Sequence, residues 1–242
     1  HQTGIGALME ELIRQGQIKF VLDITPGEIS RHNYFPSSKL APGERFTAAF
    51  DTGVPNISAP GGLDQIPTSI APQNIPKDML EGYVSGERVS YRDTKKPYAH
   101  NMSTTIVAPT LQENRDMALE IIRKLNTAKG PSVFLMPMQG WSAYDQTAAH
   151  AAVSRRMGWM AGDDGPVWIA DEANPAWSRR AADMWQVLEE NWDRGNPHID
   201  IIQLDMHILD EAFSRLVCTI IDDMLAGAWK PGLYRQMEDV LK

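Results

Sequence analysis

Apolar residues spaced three and four apart alternate along this chain with short, unbroken apolar runs, a pattern that predicts helices interleaved with buried strands. The first stripe, Leu8, Met9, Leu12 and Ile13, follows a turn holding Gly4 and Gly6 and is closed by Gly16. A strand is expected over 18–24, then a helix from Pro26, with Thr25 as its cap and Glu28 completing a capping box. Further helices are expected over 42–52 before Gly53, from Thr110 with Glu113 as a second capping box, over 178–192 and over 210–227. Strands fall over 54–58, 103–108, 132–138 and 198–204. Such alternation points to an α/β fold: a Rossmann-like, open, mostly parallel sheet with helices on both faces and ligands beyond the carboxyl ends of its strands. The chain reads as a single domain over 1–242.

Two stretches break the rhythm. Residues 65–102 are rich in proline and polar residues without periodicity, yet carry Tyr83, Tyr91, Tyr98 and His100-Asn101. That suits an ordered flap over a site or interface better than a solvated linker. The second is a Trp-rich insertion over 147–177, whose tryptophans suit a core or an interface better than base stacking.

Three glycine turns follow strand positions or open helices: Gly4 and Gly6, Gly61 and Gly62, and Gly140. Backbone N–H groups at such turns can cradle an anion. Asp23 and Thr25, Asp145, and Asp205 with His207 fall at the ends of expected strands, where a site would lie.

Composition narrows the partners. A net charge of −8 with no basic run beyond Lys95-Lys96 argues against nucleic acid and anionic membranes. No apolar stretch approaches the roughly twenty residues of a membrane span. The single cysteine, Cys218, forms no internal disulfide and is expected to pack in an apolar helix of a cytoplasmic protein. The chain opens on His1, at what reads as a strand exit, so an upstream part is expected to be missing.

The segments His1-Gln-Thr-Gly-Ile-Gly-Ala, Val21-Leu-Asp-Ile-Thr25, Pro60-Gly-Gly-Leu-Asp64, His100-Asn101, Glu113-Asn-Arg115, Gly140-Trp-Ser-Ala143 with Asp145, and Asp205-Met-His-Ile-Leu-Asp210 follow one another in a telling order. Together they resemble the Tm-1-like ATP-binding family, in the second half of its members. The resemblance implies the C-terminal lobe of a two-lobed protein, a partner N-terminal lobe, and ATP, with Mg²⁺ accompanying the nucleotide. Ala7 and Leu209 stand where that family often has glycine and asparagine.

Three functions are open. The first is a nucleotide-binding module whose phosphates meet Thr3, Gly4, Gly6, Asp23, Thr25, Gly61, Gly62, Gly140 and Ser142; without a Walker lysine it would hydrolyse little or nothing. The second is an enzyme, a hydrolase or lyase of a small carboxylate or acyl substrate, with His100, Asp145, Asp205 and His207 as acid–base candidates. Ser142 is then a candidate nucleophile, and a metal on His1, His100 and His207 lacks ligand spacing. The third is an interaction protein whose long loop and insertion form a homo-oligomer or partner surface.

Overall fold

In the computed structural model, which describes residues 5–35, 45–89, 95–145 and 169–235, the strands form two sheets. The chain runs α1 (Ile5–Arg14), β1 (Val21–Asp23), α2 (Glu28–Tyr34), α3 (Ala48–Thr52), β2 (Asn56–Ser58), β3 (Ile66–Thr68), α4 (Lys77–Ser85) and β4 (Tyr98–Asn101). It continues through β5 (Thr104–Val107), α5 (Leu111–Leu125), β6 (Ser132–Pro137), α6 (Arg179–Asn191), β7 (Ile199–Leu204) and α7 (Glu211–Leu225).

Strands β1, β2, β6 and β7 lie side by side in that order, all parallel. Their side chains alternate between two apolar layers, as the pleat requires. Phe134 and Met136 of β6 join Ile199 and Ile201 of β7 under α5 and α6, whereas Val133, Leu135, Ile202 and Leu204 meet α7 on the other face. Both faces of β6 and β7 are therefore helix-covered, which is why β6 reads as an almost unbroken apolar run. The fold is the expected Rossmann-like open sheet.

Local signals set most boundaries. Gly16 and Gly53 end α1 and α3 with left-handed backbones at φ +70° and +75°. Thr110 accepts from the Glu113 N–H at 3.1 Å while Glu113 accepts from the Thr110 N–H at 2.7 Å, the full capping box of α5. The capping box expected at Thr25 is not formed: α2 begins at Glu28 after Gly27, with no side-chain cap. Cys218 does not pack in the core either; it is exposed on the outer side of α7.

The larger correction concerns 65–108. The expected strand near 103–108 is real as β5, but it leaves the parallel sheet and pairs antiparallel with β3 and β4. Only Met102 and Ser103 separate β4 from β5, and so short a connection can join antiparallel strands only. The proline-rich stretch is thus a small layer of its own. Its Pro67 sits on edge strand β3, where a missing N–H is tolerated. Arg88, just after α4, fastens this layer to α5 by a two-pronged bond to Glu113, 2.6 Å each, and a 2.7 Å bond to the Ala108 carbonyl. Tyr83 of α4 adds a 2.8 Å bond from the Ala108 N–H.

Candidate functional site

The antiparallel layer stands over the carboxyl ends of the parallel strands, and a cavity of about 620 Å³ opens between them. Its floor comes from the strand ends: Ile24 and Thr25 after β1, Gly61 and Gly62 after β2, Trp141, Ser142 and Tyr144 after β6, Ile208 and Leu209 after β7. Its roof is Gln65, Pro67, His100, Asn101, Thr104 and Ile106, and α2 contributes Glu28 and Arg31, with Gly27 just before it. Apolar and polar groups are both present, the composition of a small-molecule site.

Arg31 is the guanidinium on this wall, almost wholly buried, with one Nη donating to Ser69 Oγ at 2.6 Å. Burial pulls its pKa down, opposed by Glu28. Glu28 in turn faces Arg45 at 3.8 Å. On the opposite side His100 Nδ1 lies 3.4 Å from the Tyr144 hydroxyl, and Tyr98 and Tyr144 pack with ring centres 5.6 Å apart.

Beneath the floor lies a buried polar cluster. Ser142 Oγ accepts from the Tyr144 N–H at 2.9 Å and donates to Asp64 Oδ2 at 2.5 Å. Asp64 Oδ1 is buried with no partner outside its own residue. Burial pushes Asp64 above the ordinary carboxylate range, against the Ser142 bond and the Arg180 guanidinium. Asp145 shares this interior: Ser178 Oγ stands 3.0 Å from both its carboxylate oxygens, and burial, then Asp64, drive it up to about 7. Arg180 is held in place by the Pro109 carbonyl at 2.7 Å and Asn114 Oδ1 at 2.9 Å.

The structure sorts the residues singled out from sequence. Thr25, Gly61, Gly62, Ser142 and His100 line the cavity. Thr3, Gly4 and His1 lie outside the described residues, and Gly6 is inside α1 against Arg45. Asp23 lies apart from the cavity, buried and bonded to Arg45 at 2.6 Å; burial raises it to about 6, against Arg45. Gly140 does not form an open anion cradle: at φ +131° it lets Asp145 and His207 close over it. The Gly61 N–H is also committed, to the Ile24 carbonyl at 3.0 Å. Of the expected backbone cradle, Gly61 and Gly62 are the described glycines that line the cavity.

His207 is a structural residue. It is fully buried, its Nδ1 accepts from the Leu209 N–H at 3.0 Å, and its Nε2 lies 2.9 Å from the Asp145 carbonyl. An accepting Nδ1 and a donating Nε2 make a neutral imidazole that laces the β6 and β7 loops together. Asp205 is exposed, away from the cavity, and accepts from Trp177 Nε1 at 2.8 Å. Among the described residues no three His, Cys, Asp or Glu side chains gather as a metal site would need, and no helix is long and apolar enough to cross a membrane.

A family model described as "Uncharacterised protein family (UPF0261) C-terminal domain" matches residues 1–158. The chain belongs to the UPF0261 family. It is 34% identical over 218 residues to a UPF0261 protein of Clostridium tetani, covering 88% of this chain and 43% of that one. To the ToMV resistance protein Tm-1 of Solanum lycopersicum it is 30% identical over 148 residues, 60% of this chain and 17% of the tomato protein. A UPF0261 protein of Mesorhizobium japonicum is 26% identical over 226 residues, 92% and 46% of the two lengths. The chain thus spans less than half the length of these relatives. The UPF0261 match at 1–158 contains every described cavity residue except Ile208 and Leu209.

Sequence reasoning missed Arg31, Gln65 and Thr104 in this UPF0261 domain, and it named Asp64 without its partner. Arg31 carried a weak signal, a cation one turn into the helix after the first strand. Gln65 and Thr104 carried none, because their place depends on how the antiparallel layer folds back.

Proposed function

We infer that this UPF0261 domain binds a nucleotide of the ATP class in the cavity between its two sheets. What carries the reading is the two-sided lining at the carboxyl edge of a parallel sheet. Ile24, Pro67, Ile106, Ile208 and Leu209 suit a flat apolar ring, while Thr25, Gly62, Arg31 and Ser142 suit an anionic group. A volume of about 620 Å³ falls in the range of sites for ligands of that size. The chain has no Gly-Lys-Ser/Thr stretch, so binding without rapid turnover is the expected behaviour.

Calorimetric titration of ATP into the 242-residue chain, with and without Mg²⁺, tests this. Arg31→Gln, which keeps a donor for Ser69 but removes the charge, should weaken ATP by about tenfold. Leu209→Trp, at the cavity mouth, should block it. ATP heats unchanged in both variants would place the site elsewhere, and no heat in the native chain would reject the reading.

One observation favours a second reading, in which the same cavity turns over a small carboxylate or acyl compound. The Ser142 hydroxyl on the floor is bonded to a buried carboxylate and stands below the Tyr144–His100 pair. Labelling of Ser142 by a serine-directed acylating probe, absent in Ser142→Ala, would select this alternative.

A further inference from the structure

We propose that Ser142 Oγ is a two-way contact to the ligand's anionic group, donating its hydrogen to that group when Asp64 carries a proton and to Asp64 when it does not. This rests on the reading of the cavity as the site of an anion-bearing ligand.

A serine hydroxyl has one proton and two lone pairs. Here one lone pair takes the Tyr144 N–H, and with Asp64 ionised the proton goes to Asp64 Oδ2 at 2.5 Å. In that state Ser142 shows the cavity only a lone pair, which repels an incoming oxyanion. If Asp64 takes a proton from solvent on Oδ2, that proton can donate to Ser142 Oγ instead. The Tyr144 N–H and the Asp64 hydroxyl then fill both lone pairs, and the serine hydrogen is released toward the ligand. No other bond changes, and one proton is taken up.

The surroundings favour such an exchange. From its own turn Asp64 receives nothing on Oδ1 beyond its own backbone; from the β6 loop it faces Ser142, the Tyr144 phenol and Asp145; from α6 it faces Arg180. Tyr144 is raised to about 12 by burial and stays neutral, and His207, behind Asp145, is neutral by its hydrogen bonds. Two carboxylates therefore share one guanidinium in a buried space. A ligand anion arriving above them adds a further negative charge, and the lowest-cost compensation is a proton on the nearer carboxylate, Asp64.

The test uses ATP as the probe and Asp64→Asn as the decisive variant, because an Asn side-chain amide donates to Ser142 as a protonated Asp would. In native protein, calorimetry in buffers of different ionisation heat should show uptake of about one proton that Asp64→Asn does not take up, with affinity falling by up to about tenfold per pH unit as pH rises. Asp64→Asn should keep the low-pH affinity and lose that part of the pH dependence. Ser142→Ala should lose about tenfold in affinity at low pH in either background. Equal proton uptake in native and Asp64→Asn protein, or loss of binding in Asp64→Asn with its fold intact, would overturn the proposal.

Failure of ATP to bind rejects the cavity reading, and the exchange is still read in the free chain. The Asp64 carboxyl carbon resonance, assigned through Asp64→Asn, should titrate with a midpoint that moves up in Ser142→Ala. A midpoint unmoved by Ser142→Ala, or no titration at all, overturns the proposal independently of any ligand.

Discussion

Gly140→Ala is expected to be among the most damaging single-methyl additions in this protein. Gly140 has φ +131°, and a Cβ there would press on the Asp145 carbonyl oxygen and stand 2.8 Å from two atoms of the His207 ring. Neither neighbour can yield freely, because they are bonded to each other at 2.9 Å and both are buried. Separating them leaves an imidazole N–H unsatisfied in the interior, about 1–3 kcal/mol. The backbone conformation costs a non-glycine residue about 1–3 kcal/mol more, and the forced repacking about 1–3 kcal/mol. A loss of about 3–9 kcal/mol follows, which for a chain of this size lowers Tm by on the order of 10 °C or more. Gly86→Ala is the matched control: φ is +86°, but nothing lies within 4 Å of its Cβ, so only the conformational cost of about 1–2 kcal/mol applies. Urea unfolding followed by circular dichroism compares the two. If Gly140→Ala loses no more than Gly86→Ala, His207 and Asp145 do not lace the β6 and β7 loops together.

Other outcomes follow from the same structure. Thr110→Ala removes one half of the α5 capping box and should cost about 1 kcal/mol, recovered by Thr110→Ser; equal stability of all three proteins by urea titration would contradict the cap. Arg180→Met leaves the Pro109 carbonyl and Asn114 Oδ1 without their donor and two buried carboxylates without their guanidinium. A loss of about 3 kcal/mol is expected, read by the same titration, and a neutral result would show that neither these bonds nor the charge of Arg180 holds this interior together. Asp145 and Asp23 are raised in the folded chain, to about 7 and about 6, above the unfolded value near 4. The folded state therefore holds these protons more tightly. The stabilisation they give is complete below about pH 4 and is lost as pH rises through about 6 to 7. Asp145→Asn and Asp23→Asn should each flatten that decline, and an undiminished slope in the double variant would refute it.

Much of this architecture was legible in the chain itself. The run at 132–137 is apolar after Ser132 because both faces of β6 are buried, and that continuity by itself marks it as an inner parallel strand, while Ile199, Ile201, Ile202 and Leu204 mark β7 as a strand beside it. Helix boundaries at Gly16, Gly53 and Thr110 are local chemistry, left-handed backbone or a side-chain cap, and need no tertiary context. Placing Thr25, Gly61, Gly62 and Ser142 at one edge needs only the direction of the strands.

What tertiary structure alone decided is where hydrogen-bonding capacity goes once the loops fold together. The Gly140 turn reads as an anion cradle in sequence, yet its space is taken by His207 and Asp145, residues far along the chain or across a turn whose approach no local pattern encodes. His207 reads as an acid–base candidate until both ring nitrogens find backbone partners. Stretch 65–102 has no period because its short strands and α4 form a separate layer, and only its pairing through β5 brings His100, Asn101 and Thr104 over the strand ends. The sequence by itself determined the strands of the parallel sheet, their direction and therefore the edge at which a ligand would sit, since these follow from apolar periodicity and turn chemistry, but not that β5 would leave that sheet. The packing of distant loops decided which of the polar residues at that edge remain turned to the cavity, since a buried donor or acceptor must be satisfied by whatever the fold brings near.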